Sequence, residues 1–157
     1  MTSNYFELTD QPIVTEAVIE KVKRREAGAV TTFIGTVREF TNDKRTLKLE
    51  YQAYQSMAEK KLADIGDEVY EIWPDAVAAI THRIGMLDIS DAAVVIAVSS
   101  PHRKTAYEAN EYIINRIKEV VPIWKKEFWE DGTSWVGDQL EKTHYPTGEP
   151  WKGEGHD

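Results

Sequence analysis

The sequence predicts an α+β domain in which three helices accompany about six strands of a mixed or antiparallel sheet. Apolar residues recur at helical spacing in three segments, and alternating or continuous β-branched runs fill most of the chain between them. The length of 157 residues favours one domain of ordinary size. We therefore assign residues 1–136 to a single domain. Residues 137–157 form a polar tail, rich in Gly and Pro, that we expect to become ordered only against a partner.

The first part of the domain combines one helix with one strand. About ten polar, aperiodic residues come first, and we predict no element for them. Apolar residues at helical spacing then predict a helix over residues 14–27, with Gly28 as its C-terminal cap. The β-branched segment 29–38 predicts a strand.

A polar connection over residues 40–45 leads to a second strand and a second helix. Leu47 is the first of four apolar residues that alternate with polar ones over residues 46–53, which predicts a half-buried strand. Ser56 and Glu59 have the spacing of a capping box, so we expect a helix to begin there and to end near Ile72.

The next segment predicts two strands and the longest helix. Residues 76–84 form a strand that Gly85 ends. The continuous apolar run within residues 92–99 is typical of a strand that is buried on both faces. Ser100 is then expected to be the N-cap of a helix over residues 101–121.

The domain is expected to end with a hairpin. Residues 123–130 alternate in polarity, Asp131-Gly132 is a typical hairpin turn, and residues 133–136 supply the returning strand.

Composition excludes several classes of function. The 19 Lys and Arg residues against 27 Asp and Glu residues give a net charge of −8, which argues against a nucleic-acid binder and against a polybasic membrane anchor. The sequence has no apolar run that could span a bilayer and no signal-peptide pattern at its start. With no cysteine, it has no disulfide, thiolate metal site or cysteine nucleophile. We expect a cytoplasmic protein.

The segment from Ser99 to Lys104 is the first candidate site. A buried strand ends here and a helix begins, and the first turn of a helix carries unpaired N–H groups and the positive end of its dipole. His102, Arg103 and Lys104 add basic side chains at the same place. This arrangement predicts a phosphate or carboxylate site. The alternative is that these residues form a solvated loop.

Three lysines form the second candidate site. Lys118 lies in the last turn of the long helix, and Lys125 and Lys126 follow on the next strand, where they point to opposite faces. A lysine that lies among apolar groups near another cation can act as a general base or an amine nucleophile. The alternative is a set of surface lysines whose aliphatic stems cover apolar area.

The third candidate is Arg38, at the end of the first strand in Gly35-Thr36-Val37-Arg38. A glycine lets a ligand approach the strand closely, and the planar guanidinium can hold an anion. The alternative is that Gly35 forms a bulge and that Arg38 pairs with a surface acid such as Glu39. His82, His144 and His156 have no metal-ligand spacing, so we predict neither a metal nor a cofactor.

Five blocks of sequence resemble the large, catalytic subunit of molybdopterin synthase, and together they span most of the predicted domain, roughly residues 27–136. They are residues 28–38, 49–54 with 57–60, 82–85, 99–103 and 122–127. Their order in the chain matches the family, which makes the resemblance far more specific than a single short motif.

The resemblance implies a fold, an α/β hammerhead with an additional antiparallel β subdomain. It also implies that sulfur from the C-terminal Gly-Gly thiocarboxylate of a small ubiquitin-like carrier is transferred to cyclic pyranopterin monophosphate, forming the dithiolene of molybdopterin. The expected assembly is a homodimer of this chain with one small subunit at each end, a heterotetramer.

By position, the resemblance implies that Lys118 and Lys125 are catalytic. The implied substrate-binding residues are Thr36, Val37, Arg38, His102, Arg103, Lys118, Lys125, Lys126 and Glu127. The His102-Arg103 pair is expected to reach the site from the neighbouring protomer.

Two other functions remain open at this stage. The same basic residues would also suit a non-catalytic module that binds a phosphorylated metabolite. Alternatively, the aromatic strand with Trp124, Phe128 and Trp129 could dock a ubiquitin-like partner without any catalysis.

Overall fold

The computed structural model describes residues 5–41 and 43–138, and these contain three helices and nine strands. The helices are α1 (Thr15–Val22), α2 (Gln55–Ile72) and α3 (Arg103–Val120). The strands are β1 (Phe6–Thr9), β2 (Ala29–Thr36), β3 (Phe40–Thr41), β4 (Lys44–Ala53), β5 (Val77–Arg83), β6 (Gly85–Asp88), β7 (Ala92–Ser100), β8 (Ile123–Trp129) and β9 (Ser134–Asp138).

The first sheet has the strand order β1-β5-β7-β2, with β1 parallel to β5 and the other pairs antiparallel. Helices cover both of its faces, so β7 is buried on both sides. Its residues Val94, Ile96 and Val98 join the core under α2 and α3. Val95 and Ala97 face the opposite way and pack with α1. This double burial explains the continuous apolar run in the sequence.

The second sheet is antiparallel and curled. Its central strand β4 pairs with β8 on one side and with β3 and β6 on the other, and β9 extends the sheet beyond β8. A small cluster that includes Val37, Leu49 and Leu87 packs beside the first sheet. The α+β fold, with a mixed sheet and a separate antiparallel β subdomain, is therefore confirmed.

A β-bulge in β4 changes the predicted alternation of this strand. The register against β8 shifts between Thr46 and Lys48, so Leu47 has no partner of its own. Because of this extra residue, the side chains that precede it in the strand point to the face opposite the one that regular alternation predicts. Leu47 is exposed to solvent, although the sequence predicted it to be buried, and Thr46 is only 1% exposed on the side of Leu49.

Three short strands were not predicted. β1 has four residues, β3 has two and β6 has four, which is too few for a periodic pattern to emerge. Each depends on a partner: β1 pairs with β5, and both β3 and β6 pair with β4. Gly85 does break the chain as predicted, because its φ of +95° lies in the left-handed region, but β6 starts there immediately.

Several predicted helix boundaries were wrong. α1 ends at Val22, five residues before the predicted end, and Gly28 is not its cap. A side chain at Gly28 would lie 2.7 Å from the carbonyl oxygen of Pro101, so close approach of two segments requires glycine there. α3 begins two residues later than predicted, with His102 as N-cap, and the Ser100 hydroxyl donates to the carbonyl of His102.

The prediction of a capping box at the start of α2 was also wrong. The helix begins at Gln55 with Tyr54 as N-cap and without a side-chain cap. Glu59 instead accepts a hydrogen bond from the backbone N–H of Leu8, at 3.4 Å, and so connects α2 to β1.

The C-terminal boundary lies slightly beyond the predicted one. β9 includes Gly137 and Asp138, which pair with Lys125 and Trp124 of β8, so the domain continues two residues into the segment assigned to the tail. The rest of that segment, 139–157, lies outside the described residues. Within the described ranges, no helix has both the length and the apolar character needed to cross a membrane.

Candidate functional site

A cavity of about 360 Å³ lies where the two sheets and α3 meet. One wall is apolar and is formed by Phe33, Ile34, Val94 and Ile114. The lining also includes four charged residues, Arg38, Lys118, Lys125 and Glu127. Such a combination of an apolar wall with a few charged groups is typical of a small-molecule site.

The two predicted catalytic lysines lie in this one cavity, although they come from different elements. Lys118 is in the last turn of α3, as the sequence predicted, and it is exposed. Lys125 projects from β8, and its side chain is only 12% exposed. Thr36, Val37 and Arg38 line the same cavity at the end of β2. Three cationic side chains therefore converge on one space, which favours an anionic ligand.

Lys125 forms an ion pair inside the cavity wall. Its Nζ lies 3.4 Å from Oε2 of Glu127, which belongs to the same face of β8. The ammonium also lies 5.8 Å from the centre of the Trp135 ring on the neighbouring strand β9. An attraction between the cation and the ring adds to the ion pair, so Lys125 has two partners that restrict where its ammonium can lie.

Glu127 is itself held by two donors. The Thr46 hydroxyl donates to its Oε1 at 2.9 Å, and the indole N–H of Trp129 donates to the same oxygen at 3.4 Å. The residue is 7% exposed. A buried carboxylate is costly unless it is paired and hydrogen-bonded, and Glu127 has both kinds of partner.

Lys126 does not line the cavity. It alternates with Lys125 along β8, as predicted, and lies on the other face, where its Nζ is 5.1 Å from the centre of the Phe128 ring. Lys48 approaches the same ring at 5.3 Å. The structure therefore places this predicted substrate-binding residue on the opposite side of the sheet from Lys118 and Lys125.

His102 and Arg103 also lie outside the cavity of their own chain. They are exposed at the start of α3, beside Ser100, which pairs with Ala29 at the beginning of β2. The cavity is at the other end of β2, seven residues further on. At about 3.3 Å per residue, the two ends of this strand are roughly 23 Å apart.

Tyr51 and His82 also line the cavity, although neither was predicted as a site residue from the sequence. His82 is 1% exposed, and its Nδ1 lies 2.9 Å from the carbonyl oxygen of Arg83. The rings of Tyr51 and His82 meet edge to face, 5.1 Å apart. A histidine in an otherwise apolar strand was the available signal, but such residues are usually structural.

The described part of the chain contains no group of three or more His, Asp or Glu residues arranged to hold a metal ion. The charged groups that line the cavity are instead the cations Arg38, Lys118 and Lys125 and the carboxylate of Glu127, which already has partners. This arrangement can bind an anion and place an amine beside it.

Comparisons with known proteins agree with the geometry. Residues 8–120 match the family model described as MoaE protein. The chain is 68% identical to the molybdopterin synthase catalytic subunit of Bacillus subtilis over 154 residues, which cover 97% of this chain and 98% of that protein. The crystal structure of molybdopterin synthase from Staphylococcus aureus is 59% identical, with a TM-score of 0.82 over 85% of this chain and 96% of its own.

A structure of much lower sequence identity has the same fold. The complex of subunits 1 and 2 of molybdopterin-converting factor from Helicobacter pylori contains a chain that is 21% identical, with a TM-score of 0.70 over 95% of this chain and 96% of its own. That likeness shows the fold alone. The family model and the high identities together show that this chain belongs to the family of molybdopterin synthase catalytic subunits, the sulfurtransferases of molybdenum cofactor biosynthesis.

Proposed function

We propose that this chain transfers sulfur from the C-terminal thiocarboxylate of a small ubiquitin-like subunit to cyclic pyranopterin monophosphate. The observation that carries the proposal is the convergence of Lys118, Lys125 and Arg38 on one cavity. Family membership favours this reaction over a non-catalytic binding or docking module. The cytoplasmic location expected from the sequence is part of the same proposal.

The cavity suits the two ends of such a substrate. The phosphate is an anion, and the guanidinium of Arg38 at the cavity mouth can bind two of its oxygens at once. The pterin is flat and aromatic, and the wall that contains Phe33 and Ile114 offers it an apolar surface. Thr36 and Val37 continue this wall towards Arg38.

The lysines suit the chemistry. When the thiocarboxylate sulfur attacks a carbon of the pterin side chain, a carbon–sulfur bond forms, a carbon–oxygen bond at that carbon breaks, and the departing oxygen takes up a proton; the carrier is then attached as a thioester. Water attacks the carrier's carbonyl carbon, the bond from that carbon to sulfur breaks, the sulfur stays on the pterin side chain as a thiol, and the carrier leaves as a carboxylate. A second carrier supplies the other sulfur in the same way. Both steps need protons to be moved beside an anion, which an amine in the cavity can do. Lys118 acts either as the base or as an amine that links transiently to the carrier's terminal glycine.

The small subunit has to deliver its C-terminus into the cavity. The Helicobacter pylori relative is described as a complex of two subunits of the converting factor, which supports a two-subunit assembly here. The exposed ammonium of Lys118 is accessible to an incoming tail, whereas Lys125 lies deeper in the wall.

A homodimer would complete the site. β2 is the last strand of its sheet, and none of the described strands pairs with its outer side. It carries three exposed apolar residues, Val30, Phe33 and Ile34. An unpaired apolar edge of this kind favours pairing with a second copy. A two-fold axis across β2 makes the pairing antiparallel and brings the start of one strand beside the end of the other.

This pairing explains the position of His102 and Arg103. Both lie near the start of β2, and the cavity lies near its end. In the two-fold arrangement, the pair from one protomer approaches the cavity of its partner. Each cavity thereby gains two more basic side chains for an anionic substrate, and the site is incomplete without the second copy.

The reaction is tested with the full complex. Purified chain, thiocarboxylated small subunit and pyranopterin substrate are combined, and dithiolene product is measured. Lys118→Ala and Lys125→Ala should each reduce the rate by about a hundredfold or more. Lys23→Ala, at an exposed lysine on the far side of the fold, is the control. Wild-type rates in both cavity variants would contradict the assignment.

The shared site is tested by mixing variants. His102→Ala and Lys118→Ala protomers are each inactive in a homodimer, but a mixed dimer contains one intact site if His102 acts on its partner. Random mixing should therefore restore about a quarter of the wild-type activity. If His102 served its own chain, mixing would restore none.

A further inference from the structure

The bulge in β4 and the ion pair of Lys125 are connected through Thr46. In regular alternation, Thr46 and Leu49 would lie on opposite faces of β4. Because Leu47 is bulged out, Thr46 instead lies directly opposite Trp129 of β8, on the inner face of the sheet. Bulges near functional sites commonly redirect one side chain in this way.

The redirected hydroxyl meets a single acceptor. Thr46 donates to Oε1 of Glu127 at 2.9 Å in a buried setting, while Oε2 of the same carboxylate faces Lys125 at 3.4 Å. Trp129 adds a longer contact to Oε1, at 3.4 Å. The hydroxyl therefore fixes the rotation of the carboxylate, and the carboxylate in turn determines where the ammonium of Lys125 lies.

Thr46 does not line the cavity, so it cannot act on a substrate directly. We propose that Thr46 is a positioning residue of the sulfur-transfer site, which sets the place of the Lys125 ammonium through Glu127. The inference rests on the proposed function, since it assigns Lys125 a role in turnover. A hydrogen bond to a charged group is stronger than one between neutral groups, which is why a single hydroxyl can have this effect.

The test compares two substitutions at the same position in the full complex. Thr46→Val keeps the shape and removes the hydroxyl, and it should lower the turnover rate about tenfold. Thr46→Ser keeps the hydroxyl and should stay within about twofold of wild type. Thr81→Val is the matched control, because Thr81 is buried and its Oγ1 has no hydrogen-bond partner among the described residues.

Two further readouts separate positioning from simple loss of folding. The indole N–H resonance of Trp129 reports on the Glu127 carboxylate, and it should move in Thr46→Val but not in Thr81→Val. A double variant with Glu127→Gln should be no slower than Glu127→Gln alone, because both changes interrupt the same chain of contacts.

The outcomes distinguish the two proposals. If the wild-type complex forms no dithiolene product, the proposed function fails. If it does and Thr46→Val matches it, or Thr46→Ser is as slow as Thr46→Val, only the role of Thr46 fails. A slow Thr46→Val with an unmoved Trp129 resonance, or with losses that add to those of Glu127→Gln, would likewise overturn that role.

Discussion

Two regions of the molecule use the same combination of a carboxylate, a hydroxyl and a cation. Between α2 and α3, Glu68 accepts hydrogen bonds from Tyr112 at 2.6 Å and from two nitrogens of Arg116 at 2.9 and 3.0 Å. In the second sheet, Glu127 plays the equivalent part with Thr46 and Lys125. The first group joins two helices at the surface, whereas the second forms part of a cavity wall.

The difference lies in where each cation stands relative to the cavity. Arg116 places two nitrogens on Glu68 and a third on Glu119, and it does not line the cavity. Lys125 lies at a longer distance from Glu127, 3.4 Å, and it does line the cavity. The helix pair therefore stabilises the fold, whereas the pair in the sheet presents a cation to the cavity.

The largest difference between the two carboxylates should appear when each is neutralised in turn. Glu127→Gln should reduce turnover by about a hundredfold, because Lys125 loses its ionic partner and small displacements in a site have large effects. Glu68→Gln should leave turnover unchanged. Product formation by the full complex measures both. Equal losses in the two variants would mean that the cavity is sensitive to the fold as a whole.

The same pair of variants should behave differently in unfolding. Glu68→Gln should lower the free energy of unfolding by about 1 kcal/mol, since the pair is only partly shielded from solvent. Both side chains are about a third exposed, at 32% for Glu68 and 29% for Arg116. Denaturant titration of the full chain measures this loss. An unchanged free energy of unfolding in Glu68→Gln would indicate that packing alone joins α2 to α3.

The Glu68 group also predicts a pH dependence. The hydrogen bonds from Arg116, opposed in part by burial, hold the pKa of Glu68 below its usual value of 4.5. A carboxyl whose folded pKa is lowered adds stability that is present above its unfolded pKa and is lost as the pH falls through the folded pKa. The stability difference between wild type and Glu68→Gln should therefore be constant near neutral pH and shrink below about pH 4.5. A stability difference that grows as the pH falls would contradict a lowered pKa for Glu68.

The smallest effect is expected at Lys126. It is adjacent to Lys125 in sequence but lies against Phe128 on the other face of β8. Lys126→Ala should leave turnover within about twofold of wild type, since Lys126 does not line the cavity and a contact between a cation and a ring contributes little at such a place. A loss comparable to that of Lys125→Ala would show that the outer face of the sheet takes part in the reaction.

The elements that could be predicted from the sequence are those whose pattern is local. The apolar run of β7 and the helical spacing of α3 are long enough to identify both elements, and the period of two correctly separates Lys125 from Lys126. The period of two does not indicate which of these two lysines points into the cavity. That depends on the pairing of β8 with β4, which joins residues about 80 positions apart in the chain.

Other features could not be predicted because they depend on neighbours. β1 exists only because β5 offers it a parallel partner, and the bulge at Leu47 exists only in the register between β4 and β8. The sequence selected Lys118, Lys125 and Lys126 as candidates, and the resemblance implied a catalytic role for the first two. The residues behind them, such as Thr46, carry no motif. The sequence predicts an anion site at His102 and Arg103. Within a single chain, however, these two residues lie near the start of β2, at the opposite end of the strand from the cavity.

The bulge at Leu47 ties the facing of Thr46 to the local register of β4 against β8. Deleting Leu47 would remove the bulge and leave positions 46 and 49 two residues apart, so that regular alternation alone would keep both side chains on the inner face. A chain of unchanged length needs the bulge for the same result, because a regular strand with residue 47 in the ladder would turn the hydroxyl at position 46 towards solvent. A one-residue gap at this place in an alignment of relatives is therefore compatible with the same hydroxyl support.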